Sequence, residues 1–174
     1  MKLLQHLHTI NRHRREVRKL CFKCGLYWQG LVHDLSKYSP TEFIPSVKYW
    51  TGTCSPTEEE IKDKGYSEAW LHHQGRNKHH YQYWQDPTHN LIAPMPKKYV
   101  VEMFCDRVAA CKIYQGKNYT RSSPYEYFAK NTKKEEFHPD TYTMLKVFLQ
   151  LLKTHGELAT CRYIKQLLRG KENE

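Results

Sequence analysis

Three copies of one short device set the fold class of this chain. Ser39-Pro40-Thr41-Glu42, Ser55-Pro56-Thr57-Glu58 and Ser123-Pro124-Tyr125-Glu126 each read Ser, Pro, x, Glu. Serine at an N-cap accepts from an otherwise unpaired backbone N–H, and proline at the first helical position needs no such partner. Glutamate three places after the cap completes a capping box. Helices are therefore predicted to begin near residues 40, 56 and 124.

The intervening segments agree. Residues 2–28 form one predicted helix, with Leu3, Leu4, Leu7, Ile10, Val17, Leu20 and Phe22 at helical spacing. Arg12, Arg14, Arg15, Arg18, Lys19 and Lys23 give it a basic face. Residues 51–55 read as a loop. The helix from Pro56 is expected to break at Gly65, and a further helical piece runs from Ser67 toward Trp84. Pro87, Pro94 and Pro96 make residues 86–96 a loop. A helix resumes over Lys97–Tyr114, with Val100, Val101, Phe104, Val108, Ala109 and Ile113 as its apolar set and Gly116 as its stop. After a loop over 117–123 and a charged connection over 130–136, helices follow from Pro139 to Lys153 and, beyond Gly156, to near Gly170. No β-run and no repeat of solenoid length occurs. The expectation is one all-α domain over residues 1–174.

Composition narrows the partners. A net charge of +10 favours an anionic substrate: a phosphate ester, a nucleotide or a nucleic acid. No apolar run has the length of a membrane span and no signal-peptide pattern opens the chain, so no membrane association is expected. Six cysteines are too sparse for a disulfide scaffold, and reduced thiols in a cytoplasmic protein fit them best. Cys21-x-x-Cys24, without a second pair, reads as packing.

Function points to Trp70–Trp84, WLHHQGRNKHHYQYW, which holds four of the eleven histidines as two adjacent pairs among aromatics. Imidazole is both a transition-metal ligand and the acid–base group of neutral pH. On a continuous helix, residues 73, 77, 80 and 84 share a face with Trp70 and Tyr81. His73 and His80 are then the candidate ligands and Asn77 an inward-facing support. His72 and His79 fall on a flank as second-choice ligands or proton carriers.

A tight site needs at least three protein ligands. His33-Asp34 is the natural supplement: neighbours on a helix diverge by about 100°, so both ligate only at a helix end or bend, or by bracketing two metals. Asp106 is the acidic residue set directly within the apolar stretch of its helix, where a buried carboxylate needs a cation or several donors. Glu102, one turn earlier, is a candidate orienting partner. Lys37 and Arg76 are candidate phosphate contacts, because cations do not ligate metals.

The ordered set His13, His33-Asp34, His72-His73, His79-His80 and Asp106 resembles the signature of the HD-domain superfamily of metal-dependent phosphohydrolases. The resemblance adds His13 to the ligand set, and Lys37, three places after Asp34, matches the HDxxK form of some phosphodiesterases. It implies a compact HD-domain-like helical bundle with its metal-site core over about residues 8–115 and C-terminal helices over about 124–170. More closely, HDLSKYSPTEF, AWLHHQGRNKHHYQYW, MPKKYVVEMFCDRVAA and the FHPDT segment resemble a small family classed only as a domain of unknown function, over about residues 8–150.

The activity this resemblance implies is that of a phosphohydrolase or phosphodiesterase acting on a nucleotide or other phosphate ester through a metal-activated water. Asp34 would bridge or orient that water, while Lys37, Arg76 and the Arg12–Arg18 face would offset phosphate charge. One or two divalent transition metals are implied; iron or manganese suits mixed His/carboxylate donors, and zinc or nickel also fits. Two further classes stay open: an HD-type diiron oxygenase, and a basic nucleic-acid-binding module with a structural metal.

Overall fold

Helix α6 (Lys97–Gln115) is the axis of the fold. Residues 100–105, Val108, Ala109 and Cys111 are all buried, so this helix is enclosed on nearly every side. Helices α1 (Lys2–Lys23) and α8 (Pro139–Arg169) pack against it. They contribute Val17 and Leu20 from α1, and Leu145, Phe148, Leu149, Leu152 and Ile164 from α8. The Phe104 and Phe148 rings meet edge-on at 5.9 Å. Each fully buried Leu or Phe here contributes about 1.5–3 kcal/mol, which makes this three-helix contact the main source of stability.

The computed structural model describes residues 2–52 and 54–170. Thr53, inside the loop expected over 51–55, and the two ends of the expected 1–174 domain lie outside the described residues. The remaining helices are α2 (Tyr27–Val32), α3 (Pro40–Tyr49), α4 (Pro56–Lys64), α5 (Glu68–Arg76) and α7 (Ser123–Asn131). The fold is all-α. Helices α3, α4 and α5 pack together beside α1, while α7 lies on α8. No helix among the described residues is long and apolar enough to cross a membrane.

Several boundaries differ from the sequence expectation, each for a local reason. The first helix stops at Lys23, because Gly25 takes a left-handed φ of +86° and the chain restarts as α2. Its Leu3 and Leu4 are exposed rather than in the core. The Ser-Pro-x-Glu devices do start helices, but only Ser39 accepts the capping hydrogen bond, from the Glu42 amide. Residues 85–86 and 91–92 pair as a minimal antiparallel hairpin inside the expected loop. Its turn is held by Asp86 Oδ1, which accepts from the Thr88 and His89 amides. Gly156 interrupts α8 at φ +78°, as its position in the sequence suggests.

The difference with most consequence is in Trp70–Trp84. Helix α5 ends at Arg76 and does not continue to Trp84. The break comes at Asn77, which is extended (φ −113°, ψ 106°) and whose side-chain amide donates to the His73 carbonyl, capping the last turn. Lys78–Gln85 is held instead by tertiary bonds. The Tyr81 hydroxyl donates to Glu136, the Gln85 amide donates to the Glu136 carbonyl, and Tyr81 stacks on Phe137 at 4.0 Å.

Candidate metal centre

His33 and Asp34 sit where α2 ends. Val32 closes the helix, His33 turns extended (φ −49°, ψ 128°), and Asp34 takes a left-handed φ of +53° before a short 3-10 turn over Leu35–Tyr38. This is the bend that adjacent ligands require. Asp tolerates the left-handed region better than most residues, and strain of this kind collects at functional sites. Arg14 holds the bend from α1, donating from Nε to the His33 carbonyl at 2.7 Å and from Nη2 to the Leu31 carbonyl at 3.1 Å.

Asp34 is the centre of the cluster, and its two oxygens face different imidazoles. Oδ1 lies 3.3 Å from His73 Nε2 and 3.4 Å from His79 Nε2. Oδ2 lies 3.4 Å from His33 Nε2 and 3.8 Å from His13 Nε2. Asp106 Oδ1 closes the second side, 3.0 Å from His13 Nε2 and 3.6 Å from His33 Nε2. Two groups of ligand atoms share Asp34, the atoms of each lying within 4.8 Å of one another: His13, His33, Asp34 and Asp106, and Asp34, His73, His79 and His80; a third group, His33, His79 and Glu102, lies on the far side of the rings.

The far nitrogens of the imidazoles are fixed by carboxylates. Glu102 Oε1 receives His33 Nδ1 at 2.9 Å and lies 3.3 Å from His79 Nδ1. Glu42 receives His73 Nδ1 at 2.7 Å and His72 Nδ1 at 2.8 Å. An ionised carboxylate only accepts, so Nδ1 of His33 and His73 carries a hydrogen, and Nε2, the nitrogen nearer Asp34, is the one that would lose its proton to a bound cation. Orientation of ligating histidines by such carboxylates is the usual support of a metal site.

Electrostatics agree with a cation site. Burial favours a neutral Asp34, but the His33, Lys37 and His73 charges outweigh it and hold its carboxyl well below the usual range. Asp106 is likewise held well below by His13 and His33 against its burial. Burial also disfavours a charged His33, yet Asp34, Asp106 and Glu102 push its pKa well above normal, so this surrounding favours positive charge. Burial, followed by the charges of His79 and His73, holds His80 well below the normal imidazole value and keeps it a neutral donor.

The donors fit one or two transition ions. Among the described residues, Nε2 of His13, His33, His79 and His80 and Asp34 Oδ1 are buried without a hydrogen-bond partner. Such atoms are costly to leave unpaired, and imidazole with carboxylate is the donor set of iron, manganese and zinc. Lys37 Nζ, 2.7 Å from Asp34 Oδ2, supplies a close positive charge.

Of the residues expected from sequence, His13, His33, Asp34, His73, His79, His80 and Asp106 converge here. His79, expected on a flank, is instead among the most buried, because the chain turns at Asn77 and presents both members of the second pair. His72 is turned to Glu42 and lies outside both ligand groups and the cavity beside them. Asn77 braces the site, its amide donating to Ser36 Oγ at 2.8 Å. Arg76 is exposed and Arg12, Arg15 and Arg18 are exposed; none of them lines the cavity, so they are not placed to offset charge there. Cys21 and Cys24 are buried in the core and belong to no ligand group among the described residues.

The cluster forms part of the wall of a cavity of about 620 Å³. Lys37 and Arg107 both line it, and Arg107 Nε is buried without a hydrogen-bond partner. Arg107, beside Asp106, and Glu42 are the functional candidates that sequence reading missed. Glu42 was hidden by its place in a capping box, and Arg107 by looking like a helix-surface cation.

Residues 2–151 match DUF5662, described as a family of unknown function. The chain belongs to DUF5662. The match covers α1 to α7 and reaches into α8, so every ligand candidate of the cluster lies inside the DUF5662 region. No curated protein and no solved structure matched the chain.

Proposed function

We propose that this DUF5662 protein is a metal-dependent phosphoric ester hydrolase of the HD-domain type, acting on a nucleotide or a related ester. The carrying observation is Asp34, whose two oxygens face two separate sets of imidazole nitrogens beside a cavity with two cationic side chains. Adjacent ions sharing one carboxylate form a clamp for both the entering and leaving oxygens of a phosphoryl group. Bound in these two groups, divalent ions would supply Lewis acidity and lower the pKa of water.

The chain's own residues do the rest. His13, His33 and Asp106 would hold one ion, His73, His79 and His80 the other, and Asp34 belongs to both groups. Glu102 and Glu42 keep the ring tautomers that aim Nε2 inward. Lys37 and Arg107 offset phosphate charge in a partly water-excluded site, where such pairing is stronger than in bulk solvent. Arg107 takes the role that the sequence suggested for Arg76. Iron or manganese suits the mixed donors best.

The test is elemental analysis of protein purified without a His tag, followed by phosphate and nucleoside release from a panel of esters after loading with each metal. Activity that disappears in folded Asp34→Ala is expected. No release across the panel with any metal removes the hydrolase reading. Oxygen uptake by the iron-loaded protein in its place would move the assignment to the diiron oxygenases.

A further inference from the structure

His6 belongs to neither ligand group, yet its setting is that of a functional side chain. It lies two turns before His13 on α1, about 10 Å along the helix axis, and both residues line the same cavity. The ring is only 5% exposed, and neither Nδ1 nor Nε2 has a hydrogen-bond partner. Its neighbours are aromatic: Phe43 at 5.8 Å and Trp50 at 6.4 Å between ring centroids. A ring placed there for packing alone would be better as phenylalanine, since each polar atom left unpaired in a buried site is a substantial cost.

The chemistry of this end differs from that of the metal cluster. Burial, and then the Lys37 charge, hold His6 down to about 4, so the ring is neutral at physiological pH. A neutral imidazole offers one donor and one acceptor. That pair suits an uncharged group which itself both donates and accepts; a phosphate dianion, which only accepts, would leave the imidazole acceptor unpaired. Lys37 and Arg107 line the same cavity, Lys37 near enough for its charge to act on His6, and neither supplies a hydrogen bond to the ring. The spacing of His6 from His13 is comparable with the span from base to phosphate in a nucleoside monophosphate, and the volume is that of an ordinary small-molecule pocket.

We infer that His6 is the recognition residue of a second subsite, which binds the nucleoside part of the substrate against Trp50 while the phosphate lies at the metal cluster. This rests on the hydrolase reading for the phosphate end alone; binding of the nucleoside part does not depend on it. The subsite makes the protein selective for esters that carry a flat, hydrogen-bonding group. A short phosphate ester without one gains nothing from His6.

The experiment is binding of free adenosine, guanosine, cytidine and uridine to the full chain, measured by tryptophan fluorescence and calorimetry, with no turnover required. At least one nucleoside should bind the wild type. His6→Phe, which keeps the ring and removes both polar atoms, should weaken that binding at least ten-fold. His6→Asn, which keeps a donor and an acceptor, should stay within a few-fold. Should His6→Phe not fold, Trp50→Leu carries the same expected loss. In turnover, the ratio of kcat/KM for the nucleoside monophosphate over glycerol phosphate should fall at least ten-fold in His6→Phe. Nucleoside binding without any phosphate release supports the subsite and removes the hydrolase reading. No nucleoside binding to the folded wild type, or undiminished binding by folded His6→Phe, overturns the subsite.

Discussion

Glu102 and Asp106, one turn apart on α6, face the two opposite nitrogens of a single imidazole. Glu102 meets His33 Nδ1 at 2.9 Å, and Asp106 Oδ1 lies 3.6 Å from His33 Nε2. Spacing of i and i+4 puts both carboxylates on one helix face, so α6 fixes the tautomer of a ligand that another element supplies. Glu102→Gln keeps the shape and removes the charge. It should weaken metal retention about ten-fold or more, read by competition with a graded series of chelators. Unchanged retention would leave Glu102 a structural residue only.

Asp34 and Asp106 should differ in stoichiometry. Asp34 belongs to both ligand groups and Asp106 to one. Elemental analysis of Asp106→Ala should therefore show the loss of one ion per chain relative to the wild type, and Asp34→Ala the loss of both. Equal loss in the two variants, each folded by circular dichroism, would speak against a shared carboxylate.

Arg107 should act on substrate and leave the metals alone. Its Nε is buried without a partner beside the cluster, and a cation cannot ligate. Arg107→Ala should lower kcat/KM for phosphate esters by ten-fold or more, which is about 1.4 kcal/mol or above, with metal content unchanged. Arg107→Lys should recover part of this, because charge is kept and the planar fork is lost. Loss of metal in Arg107→Ala would show that the residue supports the cluster instead.

Glu157 ties three helices and gives the fold a definite acid limb. It meets Lys23 of α1 and Lys112 of α6, both at 2.5 Å, from the first residue after the Gly156 break in α8. Burial pushes its carboxyl up, but the two lysines outweigh this and lower it from the usual 4.5. A depressed carboxyl binds fewer protons folded than unfolded, so its stabilisation is complete above the unfolded pKa. It is lost as pH falls through the folded value. Glu157→Gln should cost about 2 kcal/mol at neutral pH and progressively less as pH drops below 4.5, measured by urea unfolding. A cost that does not shrink in acid would assign the effect to packing.

The helical fold was legible because its signals are local. Pro40, Pro56 and Pro124 mark helix starts whether or not a cap bond forms, and the apolar run of α6 has no other reading. The ligand set was legible as residue types, since buried imidazoles and carboxylates have few other uses. Long-range pairing was not legible. Glu42 meets His72 and His73 across about thirty residues, and nothing in its capping-box context distinguishes it from Glu58 or Glu126. The facing of His79 was not legible either, because periodicity continues through Asn77, where a side-chain amide ends the helix. His6 showed no partner in sequence because its polar atoms find none among the described residues.

Arg14 has a further consequence for how an ion would be taken up. Its guanidinium holds the Leu31 and His33 carbonyls from the residue next to His13, so two ligands on separate helices are locked together by protein contacts alone. Glu102 and Glu42 do the same for two more rings, His79 and His73. Under the proposed function, folding and ion uptake would then be separate events: chelation would strip the site without melting the chain, and a returning ion would meet a finished cage whose filling is limited by entry and loss of water.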